Sequence, residues 1–231
     1  MNVFPKSALL YEDKDILVLN KIPALPSVSD QSGDPSMQEL AEDFFKQKLF
    51  PVNRLDRPSS GVQILAKNSS AAAFYSRLLR EKKIIKKYVA ITEKRPLEQE
   101  GSIEGWITVD KKKGKSFFSL EKTKNAKSAS SHYQLLSSSD NYFLLGIELI
   151  TGRQHQIRAQ LSFLNCPIKG DVKYGARRKN KDRSICLHAL WSEFPVLGGD
   201  EVIRIFALLP QDPLWQFFHS AAEAFFNTKK N

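Results

Sequence analysis

Two short segments hold most of the residues able to do chemistry. In Asn53-Arg54-Leu55-Asp56-Arg57-Pro58-Ser59-Ser60-Gly61, a carboxylate ends an apolar run between two arginines, just before a Pro-and-Gly turn. An Asp in that setting is either the acceptor of an Asx-turn or loop ion pair, or a carboxylate held ready as nucleophile or base. In Leu149-Ile150-Thr151-Gly152-Arg153-Gln154-His155-Gln156-Ile157-Arg158-Ala159-Gln160-Leu161, a strand-like run meets a glycine turn and then a helix-like run. The junction is crowded with Arg, Gln, His, Gln and Arg. Core packing asks for none of these side chains, so a buried polar network or a ligand must satisfy them.

Other chemistries find no support. His155 and His188 could be combined with Cys166 or Cys186 as metal ligands, but no compact H-x-x-x-H or C-x-x-C spacing exists. Hydrogen-bonded histidines and two reduced, partly buried thiols are the expectation, and metal residues are none. There is no glycine-rich phosphate loop. A glycosidase would need a second positioned carboxylate beside Asp56, and none is evident.

The elements that must position these residues are legible in outline. Leu9 to Asn20 reads as two strand pieces around a polar turn, and Pro23, Pro26 and residues 27–33 as a loop. Ser36 to Lys48 has helical apolar spacing with Ser36 as N-cap. Val52 to Asp56 reads as a short strand or its end, and Val62 to Ala66 as another. Asn68 caps a helix to about Glu81, with Ala72, Phe74, Leu78 and Leu79 inward. Strands are expected at Lys87–Thr92, Ser102–Val109, Ser131–Ser137 and Tyr142–Ile150, the last two joined through Ser138-Ser139-Asp140-Asn141. A helix from His155 to Phe163, a strand from Val202 to Leu208 and a helix from Trp215 to Phe226 complete the chain. Short turns between neighbouring strands favour an α+β fold with a mixed, mostly antiparallel sheet over a doubly wound one. With no repeat and no long linker, one domain over 1–231 is expected.

Composition narrows the function. The 231 residues are 42% hydrophobic and 26% charged, enough to build a core without disulfides, and they exclude collagen-like, disordered and membrane-embedded classes. No apolar run at Met1–Lys6 makes a signal peptide, and none anywhere nears the roughly 20 residues of a membrane span. A cytoplasmic protein without membrane association is expected. The net charge is +10, and the positive residues lie in three clusters: Arg77–Arg95, Lys111–Lys127 and Lys169–Arg183. Such surfaces commonly neutralise phosphates, so RNA or DNA is the expected partner.

Taken together, the segments resemble a family. Asn53 to Gly61 is similar to the H-R-L-D-x-x-T-S-G signature of the RluA family of pseudouridine synthases, and Thr151 to Arg158 to its T-G-R-x-H-Q-I-R signature. Lys86-Lys87-Tyr88-Val89-Ala90 resembles its K-x-Y-x-A strand, with further likeness at Tyr11–Lys21, Gly170–Gly175 and Leu187-His188-Ala189. The order is the family's, over roughly residues 9 to 210. Asn53 stands where the family has His, Ser59 where it has Thr, and Ile22-Pro23-Ala24 where it has Pro-Ala-Gly. No S4-type RNA-binding domain of the kind many relatives carry is expected before Tyr11.

The resemblance implies a pseudouridine synthase fold: a long mixed sheet, flanking helices and a central cleft. It implies isomerisation of a uridine in ribosomal or transfer RNA after the base leaves its stack. Asp56 would be the catalytic carboxylate, attacking C1′ or deprotonating C2′. Arg153 would pair with it and offset the cost of burying its charge. Tyr88 would form a stacking wall for the base or serve as a proton-transfer partner at C5, and Arg54 would help to hold the gap that the base leaves. The isomerisation has no net redox change or group transfer, so no cofactor is implied. No obligate protein partner is expected, and monomer is the default. The competing reading is a non-catalytic RNA-binding or RNA chaperone protein on the same fold.

Overall fold

The computed structural model describes residues 4–227. Residues 1–3 and 228–231, part of the expected domain span and of the amino-terminal stretch searched for a signal peptide, lie outside the described residues. In chain order the elements are β1 (Leu9–Glu12), β2 (Ile16–Lys21), α1 (Met37–Phe45), β3 (Phe50–Pro51), β4 (Ser60–Ala66) and α2 (Ser69–Arg80). There follow β5 (Ile85–Thr92), β6 (Glu100–Asp110), β7 (Lys115–Ser119), β8 (Lys127–Ser138), β9 (Phe143–Leu149) and α3 (Gln156–Phe163). The chain closes with β10 (Leu187–Pro195), β11 (Val202–Phe206), α4 (Pro213–Phe217) and α5 (His219–Asn227). Strands and helices mix as an α+β fold requires. Two compact units contain them: the chain up to Lys86 with Ala189–Pro210, and Lys87–His188 with the chain from Gln211 on.

In the first unit the strand order is β1-β2-β4-β10, with β3 on β4 and β11 on β10. β2 pairs antiparallel with both β1 and β4. Every residue of β4 is buried, which suits its apolar run Val62-Gln63-Ile64-Leu65-Ala66, interrupted by Gln63, whose Nε2 donates to the Ser27 carbonyl at 2.9 Å. Leu17 and Leu19 of β2 pack with Met37 and Ala41 of α1 and with Phe4, Leu49 and Leu65. Ser36 caps α1 as expected, in a reciprocal box with Glu39. The helix ends at Phe45, short of Lys48, because Lys46 turns left-handed at φ 53°.

The second unit is antiparallel throughout, in the order β5-β9-β8-β6-β7. The expected hairpin loop joins β8 to β9, closed by the Ser139 N–H on the Tyr142 carbonyl at 2.8 Å. Ile107, Ala129, Ala159 and Tyr174 form a small core between β6, β8 and α3. At Gly146 of β9 a Cβ would stand 2.7 Å from the Phe225 ring, so α5 seats against the strand only because that residue is glycine.

Several expectations need correction. Residues 52–56 are not a strand: pairing ends at Pro51 apart from one bond, Val52 N–H to Ile64 carbonyl. Ala71, Tyr75 and Leu78 form the buried stripe of α2, while Ala72, Phe74 and Leu79 lie at its margins. The terminal helix breaks at Phe218 into α4 and α5 and begins earlier than Trp215, at Pro213, where Asp212 caps it. β7 and β10 are strands without a sequence signal. Leu187 to Trp191 is buried on both faces and carries His188, which erases the alternation.

Candidate active site

Asp56 lies on an irregular loop of the first unit, and the backbone on either side of it is anchored. On the amino side, the buried Ser27 Oγ accepts from the Leu55 N–H and donates to the Leu55 carbonyl, each at 2.9 Å. On the carboxyl side, the Arg57 carbonyl accepts from Lys21 Nζ at 3.2 Å. The Ser59 N–H closes a turn on the Asp56 carbonyl at 3.0 Å. The loop that carries Asp56 is thus clamped through the main chain of its neighbours.

Lys21 is the group that sequence reasoning passed over. It ends β2 fully buried, and its Nζ also donates to the carbonyls of Ile22 at 2.9 Å and Leu25 at 2.7 Å. Three acceptors match the three hydrogens of an ammonium. Burial pushes Lys21 down to about 7, the Asp56 carboxylate draws it back up, and Arg57 lowers it further. The available signal was a lysine two residues past the apolar run Ile16-Leu17-Val18-Leu19.

The departures from the family signature are accommodated in place. Asn53 bridges to β4: its Nδ2 donates to the Val62 carbonyl at 3.1 Å and its Oδ1 accepts from the Ile64 N–H at 2.7 Å. One amide supplies both a donor and an acceptor there. Arg57 turns away to Asp34, Asp30 and the Ala24 carbonyl. Arg54 is exposed. At Gly61, φ is 109° and a Cβ would lie 2.2 Å from the Ala189 carbonyl oxygen, so the turn after Asp56 admits no side chain.

Tyr88 and Arg153 belong to the second unit. Tyr88 sits on β5 opposite Ile147 and is 7% exposed. Arg153 follows β9 in the turn before α3, half-buried, with its Nε donating to the Ser128 carbonyl at 2.9 Å. The crowded junction resolves into the buried network that the sequence required. Gln156 Oε1 accepts from Thr151 Oγ1 at 2.7 Å and from the Arg153 N–H at 3.0 Å. Gln160 bridges Ser131 and the Ile103 carbonyl. Arg158 and Asp171 form a buried two-bond pair at 2.7 and 2.9 Å.

The remaining candidates have structural surroundings. His155 shares a hydrogen bond with the Tyr174 hydroxyl at 3.0 Å, and the buried His188 packs edge-on to Trp215. Cys166 and Cys186 are free and buried, and burial pushes the Cys186 thiol up to about 12. Among the described residues, no three His, Cys, Asp or Glu side chains are grouped to hold a metal ion, and no helix is long and apolar enough to cross a membrane.

Comparison with known proteins adds the family. The profile described as RNA pseudouridylate synthase matches residues 15–163, which include Asp56, Tyr88 and Arg153. An uncharacterized RNA pseudouridine synthase of Haemophilus influenzae is 32% identical over 207 residues, 90% of this chain and 89% of the relative. Ribosomal large subunit pseudouridine synthase D of Borreliella burgdorferi is 37% identical over 179 residues, 73% of this chain but 54% of that protein, so the chain spans about half its length. The solved human RNA pseudouridylate synthase domain containing 4 superposes with a TM-score of 0.73 at 28% identity, covering 97% of this chain and 95% of that one.

Proposed function

This chain belongs to the RluA-type RNA pseudouridine synthases, and we propose that it isomerises a uridine of ribosomal RNA with Asp56 as the catalytic carboxylate. The observation that supports Asp56 is its clamped loop: Ser27 holds the residue before it and Lys21 the residue after it. A reacting group fixed through its own main chain avoids the entropy of being positioned at each turnover. Transfer RNA is the second substrate class to be tested. Residues 1–231 act as one catalytic domain, monomeric and cytoplasmic, without an obligate protein partner.

The reaction exchanges one bond for another. The N1–C1′ bond breaks, uracil turns, C5 bonds to C1′, and the C5 proton returns to N1 through solvent or a side chain. Asp56 either attacks C1′ and is later displaced by C5, or removes the C2′ proton and returns it. A 2′-deuterated substrate separates the two, since only C2′ deprotonation gives a primary isotope effect. Arg153 is assigned as the cationic partner of the carboxylate, Tyr88 as the wall for the base and Arg54 as the side chain that helps to hold the gap the base leaves.

The test is pseudouridine mapping of ribosomal and transfer RNA from cells lacking this protein, rescued with wild type or Asp56→Asn. We expect a ribosomal site to vanish on deletion and to return only with wild type. Return of the site with Asp56→Asn would remove the carboxylate from the chemistry. No change at any site, with a growth defect rescued by both forms, would establish the RNA chaperone instead.

A further inference from the structure

The second unit presents a solvent-facing side of β6, β7 and β8 that the proposed chemistry does not use. Directly paired residues share a face, and Tyr88, Ile147, Tyr133 and Gly101 are paired in series across β5, β9, β8 and β6. Ile103 and Ile107 continue that side and are buried. The opposite side of the same strands carries Ser102, Glu104, Trp106 and Thr108 on β6, and Lys115 and Phe117 on β7.

Phe117 is 45% exposed there, a poor place for a phenyl ring in an unliganded sheet. It pairs with Thr108, two residues along from Trp106, so the two rings are diagonal neighbours on one face, about 7–8 Å apart at the backbone. Each ring has an ammonium over it: Lys122 Nζ lies 5.0 Å from Trp106, and Lys115 Nζ lies 5.5 Å from Phe117 and 4.9 Å from Tyr174. From Trp106 to Lys127 there are seven lysines against two acidic residues, Asp110 and Glu121. The Asp110 side chain closes the hairpin turn on the Lys113 N–H.

We propose that Trp106 and Phe117 form a stacking platform for two unpaired bases of RNA, on the face of the sheet opposite Tyr88. Aromatic pairs on adjacent strands of an open sheet receive successive bases, and lysines around them take the phosphates. A base laid on Trp106 displaces the exposed Lys122 ammonium and one laid on Phe117 displaces the half-buried Lys115 ammonium, and the freed ammonium then meets the phosphate. Duplex RNA shows no free base faces, so the platform selects single strands. Charge complementarity favours RNA over a second copy of this positively charged chain. The inference rests on the reading that the chain works on RNA, and it adds where unpaired nucleotides beyond the target uridine are held.

The test is binding of the full chain to a labelled oligouridylate of about 12 nucleotides, within the usual span of such sites, and to a blunt RNA duplex of equal length. We expect Phe117→Ala to weaken the single strand about tenfold, or about 1.4 kcal/mol, and the duplex less than about twofold. Trp106→Ala should do the same, while Trp106→Phe retains affinity and removes the ligand-induced change in tryptophan fluorescence. Urea unfolding of each variant verifies its fold, and the conservative Phe117→Tyr should bind as wild type does. Unchanged single-strand affinity in Phe117→Ala, equal losses on both RNAs, or a lowered sedimentation coefficient with RNA binding intact would overturn the platform. The two readings fail separately: selective single-strand loss in Phe117→Ala without pseudouridine formation by wild type keeps the platform and removes the enzyme.

Discussion

Lys21 shows how one side chain can set up another. Its three hydrogen bonds gather the carbonyls of Ile22, Leu25 and Arg57, and the last of these is the residue after Asp56. Lys21→Met keeps the length and leaves those carbonyls without their donor. We expect a loss of about 2 kcal/mol in urea unfolding, at the usual cost of unsatisfied buried groups, and a fall in single-turnover rate at unchanged RNA affinity. The ammonium also titrates differently in the two states: about 7 when folded, near 10.5 when unfolded. Between those values the unfolded chain binds more protons here, so this site makes stability rise with pH, by at most about 1.4 kcal/mol per unit. Measured against Lys21→Met, wild type should therefore gain stability from pH 7 to 9, and a flat difference would refute the assignment. The lysine was visible in the sequence, but nothing there said that its head turned inward.

At the scale of elements, α3 is tied to the loop after it by the buried Arg158–Asp171 pair, with the Arg158 guanidinium 4.8 Å over the Tyr174 ring. Breaking a buried pair strands a charge. Arg158→Met alone should cost about 3–5 kcal/mol in chemical unfolding, and the double variant Arg158→Met with Asp171→Leu should recover much of that. Additive losses would mean that the pair contributes through packing alone. Gly61 offers a second check. Gly61→Ala meets the Ala189 carbonyl at 2.2 Å and should fail to fold stably, whereas Gly33→Ala, with nothing within 4 Å of the added Cβ, should lower stability by about 1–2 kcal/mol. Thermal unfolding of the two variants compares them directly. Helices with capping residues and regular spacing, α1 and α2, were legible because their signals are local. β7 and β10 were not, since a five-residue strand with two adjacent phenylalanines and a strand buried on both faces lack the alternation that marks an edge or a half-buried sheet.

For the molecule as a whole, the charge of +10 predicts salt-sensitive RNA binding. In the second unit, Lys173 Nζ donates to the Gly114 carbonyl at 2.9 Å, so the cluster beginning at Lys169 touches the turn that carries Lys111, Lys112 and Lys113. The triple change of those lysines to Ala should weaken all RNAs and reduce the slope of log affinity against log salt by about 2. An unchanged slope would leave the turn as a solvated loop. The sequence by itself determined the family, the α+β class, the order of most elements and the residues expected to do the chemistry. These follow from motifs and periodicities carried by neighbours along the chain. Tertiary structure alone decided that Lys21 and Ser27 clamp the loop of Asp56, and that Gln156, Arg158 and Gln160 form a buried network. It also decided that Trp106 and Phe117 share an open face. Each depends on hydrogen bonds or strand registers between residues distant in sequence, which local pattern does not encode.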